Sequence, residues 1–397
     1  MTDFPVTKAR FILPEGLVYL NGNSLGPLPR AAVDRVGRVV VDEWGQLLIR
    51  GWNKAGWMGQ STRLGDRIGE LIGAAKGAVI VGDTLTIKVY QALSAALEMR
   101  PERRVILSDN GNFPTDLYMA QGLIGTLGDG YELKVVDPCD VADALDETIA
   151  VMMLTEVDYA TGRKHDMAAL TALAHDVGAL ALWDLAHSAG AVPIDLTAAG
   201  ADFAVGCTYK YLNAGPGAPA FVYVAPHLQD DVRPTLSGWL GHAAPFAFDL
   251  DYRPDAGINR MRIGTPPVIA MGALEAALDI WEGVDMAKVR AKSIELSEMF
   301  ITEVETRCPS VTIASPRDPL CRGAHIALRH PEGYAIMQAL IAHNVIGDFR
   351  APDIMRFGFT PLYLDENDVE KAVDTLAKIL NERLWDTPEF RVKTGVT

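Results

Sequence analysis

Lys210 stands in the segment CTYKYLNAGPG, after an apolar run of strand character and before a glycine-containing turn. From such a place an amine can reach a ligand held at the edge of a sheet. Other side chains able to do chemistry occupy comparable places. Asp184 ends the run ALALWD, with His187 three residues on; Thr86 lies in VGDTLTIKVYQAL, where a strand gives way to a helix; Thr155 follows AVMML; Phe113 and Asp116 fall in NFPTD. An amine, a carboxylate, a helix start whose N–H groups favour an anion, and a flat ring are what pyridoxal phosphate asks of a protein. In that scheme Lys210 forms a Schiff base with the aldehyde, and Asp184, supported by His187, keeps the pyridine nitrogen protonated. Thr86 receives the phosphate with a hydroxyl from Thr155, Phe113 stacks on the ring, and Asp116 hydrogen-bonds nearby. Singly, each residue has an ordinary explanation as a solvated lysine, a core phenylalanine or a capping aspartate. Their recurrence at successive strand ends gives the set its weight.

The elements that must position these residues follow from the apolar pattern. Runs at 78–81 (AVIV), 104–109 (RVILSD), 150–154 (AVMML), 179–184 (ALALWD) and 220–224 (AFVYV) alternate with helical segments. This predicts an α/β fold with a mainly parallel sheet and helices on both faces, where ligands gather at the carboxyl ends of strands. Ahead of it, LVYL (17–20) reads as extended and 21–26 as a turn, and Pro27 and Pro29 open a helix. After Pro266, VIAMGALEAALDIWEG is helical and leads to a long helix and further alternating segments. The expected division is an N-terminal arm over 1–50, a large cofactor-binding domain over 51–275 and a smaller C-terminal domain over 276–397.

Composition limits the partners. A formal net charge of -15 over 397 residues argues against a broad footprint for nucleic acid or an anionic membrane. Cys139, Cys207, Cys308 and Cys321 form no C-x-x-C pair, so neither a zinc site nor a disulfide framework is expected. No stretch has the length and apolarity of a membrane helix, and the start lacks the pattern of a leader, so the expectation is a soluble, cytoplasmic protein without a metal. Neither dinucleotide nor P-loop fingerprints occur. Gly22-Asn23-Ser24-Leu25-Gly26 matches the G-x-S-x-G nucleophile elbow of serine hydrolases. Too little chain precedes Ser24, however, for the strands that normally come before that elbow.

WDLAHSAGAVPIDL with GCTYKYLNAGPG closely resembles the cofactor-lysine region of kynureninases, in the class V aminotransferase group of fold type I enzymes. YLNGNSLG, NFPTDLY and IMRFGFTPLY resemble kynureninase motifs too, so the likeness spans most of the chain. It implies a seven-stranded sheet with a smaller α+β domain, and Lys210 as the Schiff-base lysine. Around the cofactor it implies Leu85, Thr86, Phe113, Asp116, Thr155, Asp184, His187, Tyr209, Trp239 and Thr265, some contributed by the second subunit of a homodimer with composite sites. The implied reaction is hydrolysis of L-kynurenine, or its 3-hydroxy form, to an anthranilate and L-alanine in tryptophan catabolism, with Tyr209 as the acid at the β carbon. The planar fork of Arg356 suits the substrate carboxylate, with Asn23, Ser24, Trp57, Leu240 and Gly264 at the substrate. Two positions depart from the family pattern: Leu240 replaces an aromatic residue in GWFGH, and Asn21 replaces an acid in YLDGNSLG. Action on another γ-keto amino acid is the nearest alternative. Cysteine desulfurases share the Asp-x-x-His and lysine elements but not NFPTDLY together with CTYKYLN, and a scaffold without catalysis would not need Lys210, Asp184 and Tyr209 together.

Overall fold

Runs of Val, Ile, Leu and Met become strands here because both faces are covered by other elements, where branched side chains pack well on a pleated surface. The computed structural model describes residues 2–393. Strands β1 (Val79–Val81), β2 (Val105–Asp109), β3 (Glu132–Val136), β4 (Ile149–Thr155), β5 (Leu180–Asp184), β6 (Phe203–Gly206) and β7 (Phe221–Val224) form a seven-stranded sheet in the order β1-β7-β6-β5-β4-β2-β3. Strands β2 to β6 run parallel to one another. The run AFVYV corrects the expected pattern in its direction, since β7 is antiparallel to both β6 and β1. The physical reason is its connection: 207–220 contains no helix, and a parallel neighbour needs a crossover, usually helical.

Successive residues of the central strands face opposite sides. Ile106, Val151 and Leu182 join Val89, Leu93 and Ala96 of α3 (Leu85–Glu98), which follows helices α1 (Arg30–Arg38) and α2 (Trp57–Leu71), in one core, together with residues of α4 (Pro114–Leu127). Leu107, Met152 and Trp183 join Leu64 and Ile68 in the other, which continues through Phe300, Ile326 and Phe357 into the C-terminal part. That part contains a four-stranded antiparallel sheet of β8 (Thr312–Ile313), β9 (His325–Arg329), β10 (Asp348–Arg350) and β11 (Ile354–Gly358), in the order β8-β9-β11-β10. The N-terminal arm is sewn onto it: Val18–Tyr19 pairs in parallel with Val345–Ile346, and Gly358 N donates to Leu20 O at 2.7 Å. No described helix is long and apolar enough to cross a membrane.

Helix Trp57–Leu71 approaches β1 closely enough to demand a glycine. A Cβ on Gly65 would lie 2.2 Å from the Val79 carbonyl oxygen, whereas one on Gly59 of the same helix would meet open space. Gly65→Ala is expected to destabilise the fold by about 1–3 kcal/mol, read from equilibrium denaturant unfolding. Gly59→Ala should leave stability unchanged or raise it, by the better helix propensity of alanine.

Candidate active site

The carboxyl ends of β4, β5 and β6 deliver Thr155, Asp184 and the Thr208–Lys210 turn to one region. Lys210 Nζ lies 2.9 Å from His187 Nε2 and 6.0 Å from the centre of the Phe113 ring. Phe113 caps α4 and meets Tyr159 edge-on at 5.2 Å, so its orientation is fixed from the far side. The lysine turn is held by Thr208 Oγ1 donating to Pro219 O at 2.6 Å and by Gly26 N donating to Tyr209 O at 2.7 Å. A Cβ on Gly26 would fall 2.4 Å from Lys210 O, so the GNSLG turn needs its last glycine to press against the lysine segment.

Asp184 is fixed by Ala186 N, which donates to Oδ1 at 2.8 Å. Asp116, in the first turn of α4, is enclosed beside it. Burial, and after it the neighbouring Asp184, pushes Asp116 well above the usual carboxylate range. Burial likewise pushes Asp184 up to about 6, against the pull of Lys210. Asp116 Oδ2 has no hydrogen-bond partner, so a protonated pyridine nitrogen would meet a buried acid pair with an acceptor to spare. Burial, reinforced by Lys210, drives His187 far below its ordinary value and keeps the imidazole neutral. At the other end of the region, Thr84 caps α3, and Leu85 and Thr86 occupy its first turn, where unpaired N–H groups favour an anion. The residues present therefore fit a phosphate-bearing pyridine aldehyde at each of its functional groups. Thr155 Oγ1 donates to Val157 O at 3.3 Å. Burial, with Cys207 beside it, raises the Tyr209 phenol above its ordinary value.

A second polar cluster lies at the seam with the C-terminal sheet. Arg356 on β11 is 1% exposed; its Nε donates to Asp348 Oδ1 at 2.7 Å and its Nη2 to Asp348 Oδ2 and, at 3.0 Å, to Ser24 Oγ. Arg350 Nη2 lies 3.0 Å from Asp348 Oδ2 and donates to Ser24 Oγ at 3.3 Å. Two guanidinium groups around one carboxylate leave a net positive charge at this seam. Asp348, Arg350, Tyr159 and His325 were not foreseen. The D-F-R and I-M-R triplets signal part of this, because the hairpin register sets Asp348 opposite Arg356.

The geometry removes the serine-hydrolase reading: Ser24 Oγ donates to Asp348, and among the described residues no histidine is hydrogen-bonded to it. Asn23 is buried against Gly358 with its amide unpartnered. Other expected residues sit elsewhere in the chain. Trp57 Nε1 donates to Glu43 at 2.7 Å, Trp239 meets Phe246 edge-on at 5.9 Å, Leu240 is 2% exposed, Gly264 lies near Lys88, and Thr265 is exposed. Among the described residues, no hydrogen bond or ring contact joins these five to Lys210.

Glu156, one residue beyond Thr155, is 4% exposed, and burial pushes its carboxyl from 4.5 up to about 7. Between those values the unfolded chain has released this proton and the folded chain still holds it, so stability falls as pH rises through the window. Glu156→Gln removes that contribution. Its unfolding free energy should gain on the parent by up to about 3 kcal/mol between acidic and neutral pH; a constant difference across the range would show that no carboxylate charge is buried there.

Comparison with known proteins gives the family. Residues 289–376 match the family model described as the kynureninase C-terminal domain. The kynureninase of Pseudomonas fluorescens is 52% identical, with 98% of this chain and 95% of the relative covered. That of Burkholderia pseudomallei (strain 1106a) is 51% identical over 100% of this chain and 97% of its own. Among solved structures, the apo cysteine desulfurase from Thermococcus onnurineus NA1 superposes with a TM-score of 0.80 at 16% identity, covering 96% of this chain and 99% of that one. A C-DES mutant with glycine covalently linked to its PLP cofactor gives 0.78 at 19% identity over 95% and 99%, and both neighbours bear out fold type I. With half its residues shared along its whole length, the chain belongs to the kynureninase family.

Proposed function

We propose that this protein hydrolyses L-kynurenine, or its 3-hydroxy form, to an anthranilate and L-alanine, with pyridoxal phosphate as cofactor. The observation that carries the reading is Lys210 set against neutral His187, with a buried acid pair on one side and the Arg350–Asp348–Arg356 cluster at the seam, in a chain half-identical to kynureninases. Bound there, the cofactor supplies an electron sink that lets an amino acid lose its α proton and part with a group beyond its β carbon. Lys210 holds the cofactor and then takes the α proton. Asp184 pairs a cationic ring nitrogen, and the start of α3 with Leu85, Thr86 and Thr155 receives the phosphate. Arg356, held rigid by Asp348, receives the substrate carboxylate, and Arg350, on the same Asp348, adds a second and more accessible guanidinium. Tyr209, with its raised phenol, keeps its proton at neutral pH and can deliver it to the β carbon. Water provides the hydroxyl that the anthranilate retains.

The reading includes a cytoplasmic homodimer. Free thiols at all four cysteines suit a reducing compartment. Exposed Val41, Trp44, Leu48 and Ile49, and exposed Phe246, Phe248 and Leu250, supply apolar surface for a second copy. In that arrangement Trp57, Trp239, Leu240, Gly264 and Thr265 serve the other subunit's Lys210.

Purified protein given pyridoxal phosphate and L-kynurenine is expected to release anthranilate and L-alanine in equal amounts. A yellow protein releasing neither would remove the substrate, and a colourless one the cofactor. Lys210→Ala should lose the visible band of the lysine-linked cofactor and at least about 100-fold in turnover. Sedimentation under assay conditions should find a dimer; a fully active monomer would remove the composite site.

A further inference from the structure

His325 opens β9 at the seam between the two sheets and is 0% exposed. Its ring centre lies 5.5 Å from that of His187, with the planes tilted by 54°. The Tyr159 backbone acts on the His325 ring, but neither ring nitrogen is placed in hydrogen-bond geometry, and His187 Nδ1 has no partner. Buried polar atoms without partners are rare in folded proteins, and three of them on two adjacent rings point to a shared purpose. Burial and the nearby Arg356 hold His325 down to about 3, and burial with Lys210 keeps His187 neutral. Each ring therefore carries one N–H and one lone pair.

The lysine decides which nitrogen of His187 carries the proton. An ammonium has only donors, so with Lys210 Nζ 2.9 Å away, His187 Nε2 presents its lone pair and Nδ1 bears the hydrogen. That N–H is enclosed, and the ring alongside it is that of His325. The tautomer of a histidine is set by the hydrogen bond its other nitrogen makes.

We infer that His325 is a positioning residue that accepts, through one bridging water, the hydrogen bond offered by the Nδ1–H of His187, and so fixes the tautomer and ring orientation that His187 turns toward Lys210. The inference rests on reading Lys210 as the amine that carries the cofactor and moves the α proton. It adds a link from β9 of the C-terminal sheet to that amine.

The test begins without cofactor or substrate, so that failure of the cofactor reading leaves it intact. In protein labelled with 15N-histidine, the His187 ring, assigned through His187→Asn, should show a protonated Nδ1 and an unprotonated Nε2. His325→Leu is expected to mix or reverse that pattern, and His325→Gln, which keeps an acceptor, to preserve it. With α-deuterated L-kynurenine, His325→Leu should lower kcat about 10-fold and enlarge the isotope effect while KM stays within about 2-fold, and His325→Gln should recover most of the loss. Should His325→Leu not fold, His325→Met makes the same comparison. An unchanged His187 pattern in the apolar variant overturns the inference, as does a raised KM with an unaltered isotope effect, which would make His325 a substrate contact.

Discussion

A carboxylate buried between two arginines sets the registration of the whole molecule. Asp348 and Arg356 are each 1% exposed, and their pairing reaches from β10 and β11 to Ser24 of the N-terminal arm and to the carbonyl of Tyr159, beyond the end of β4. Removing one partner of such a pair strands a charge in the interior, at a typical cost of about 3–5 kcal/mol. Three stretches of chain distant in sequence are thereby held in one arrangement. The seam between the sheets, where Lys210, His187 and His325 meet, inherits its geometry from that arrangement.

The two charged clusters divide the work by sign. Around Asp116 and Asp184 negative charge accumulates and burial answers by raising both carboxyls, so the region calls for a cation. Around Arg350 and Arg356 the balance is positive even after Asp348 is counted. An amino acid whose nitrogen is joined to a cationic ring and whose carboxylate is free spans such a polarity in one orientation only. Between the poles the histidines are neutral, so neither attracts the carboxylate to the wrong end.

Strands buried on both faces and ending in a polar residue were legible in the sequence, and with them the places of Thr155, Asp184 and Lys210. Strand β3 was not, because ELKVV lies at the edge of the sheet with a partly exposed, mixed pattern. Strand β6 was legible only as the apolar run ahead of Lys210, since four residues are too short to show a period. His325 was illegible for a different reason: in HIALR it reads as one polar residue at the start of an apolar strand. Only the packing of β9 against the loop after β5 gives it a role. Trp57, Trp239 and Thr265 came from likeness to the kynureninase family, and within one chain nothing local marks them as belonging to the same site.

The stitching of Val18–Tyr19 onto Val345–Ile346, and of Ser24 onto Asp348 across 324 residues, has a consequence for biosynthesis. Contacts so far apart close late, since the intervening chain must be ordered first. On the ribosome, the large sheet can form with the lysine turn in place while the arm that presses on it waits for β10 and β11 to emerge. A nascent or C-terminally truncated chain thus holds its amine without Arg350 and Arg356, and the charge balance around Lys210 is complete only once β10 and β11 have joined the arm.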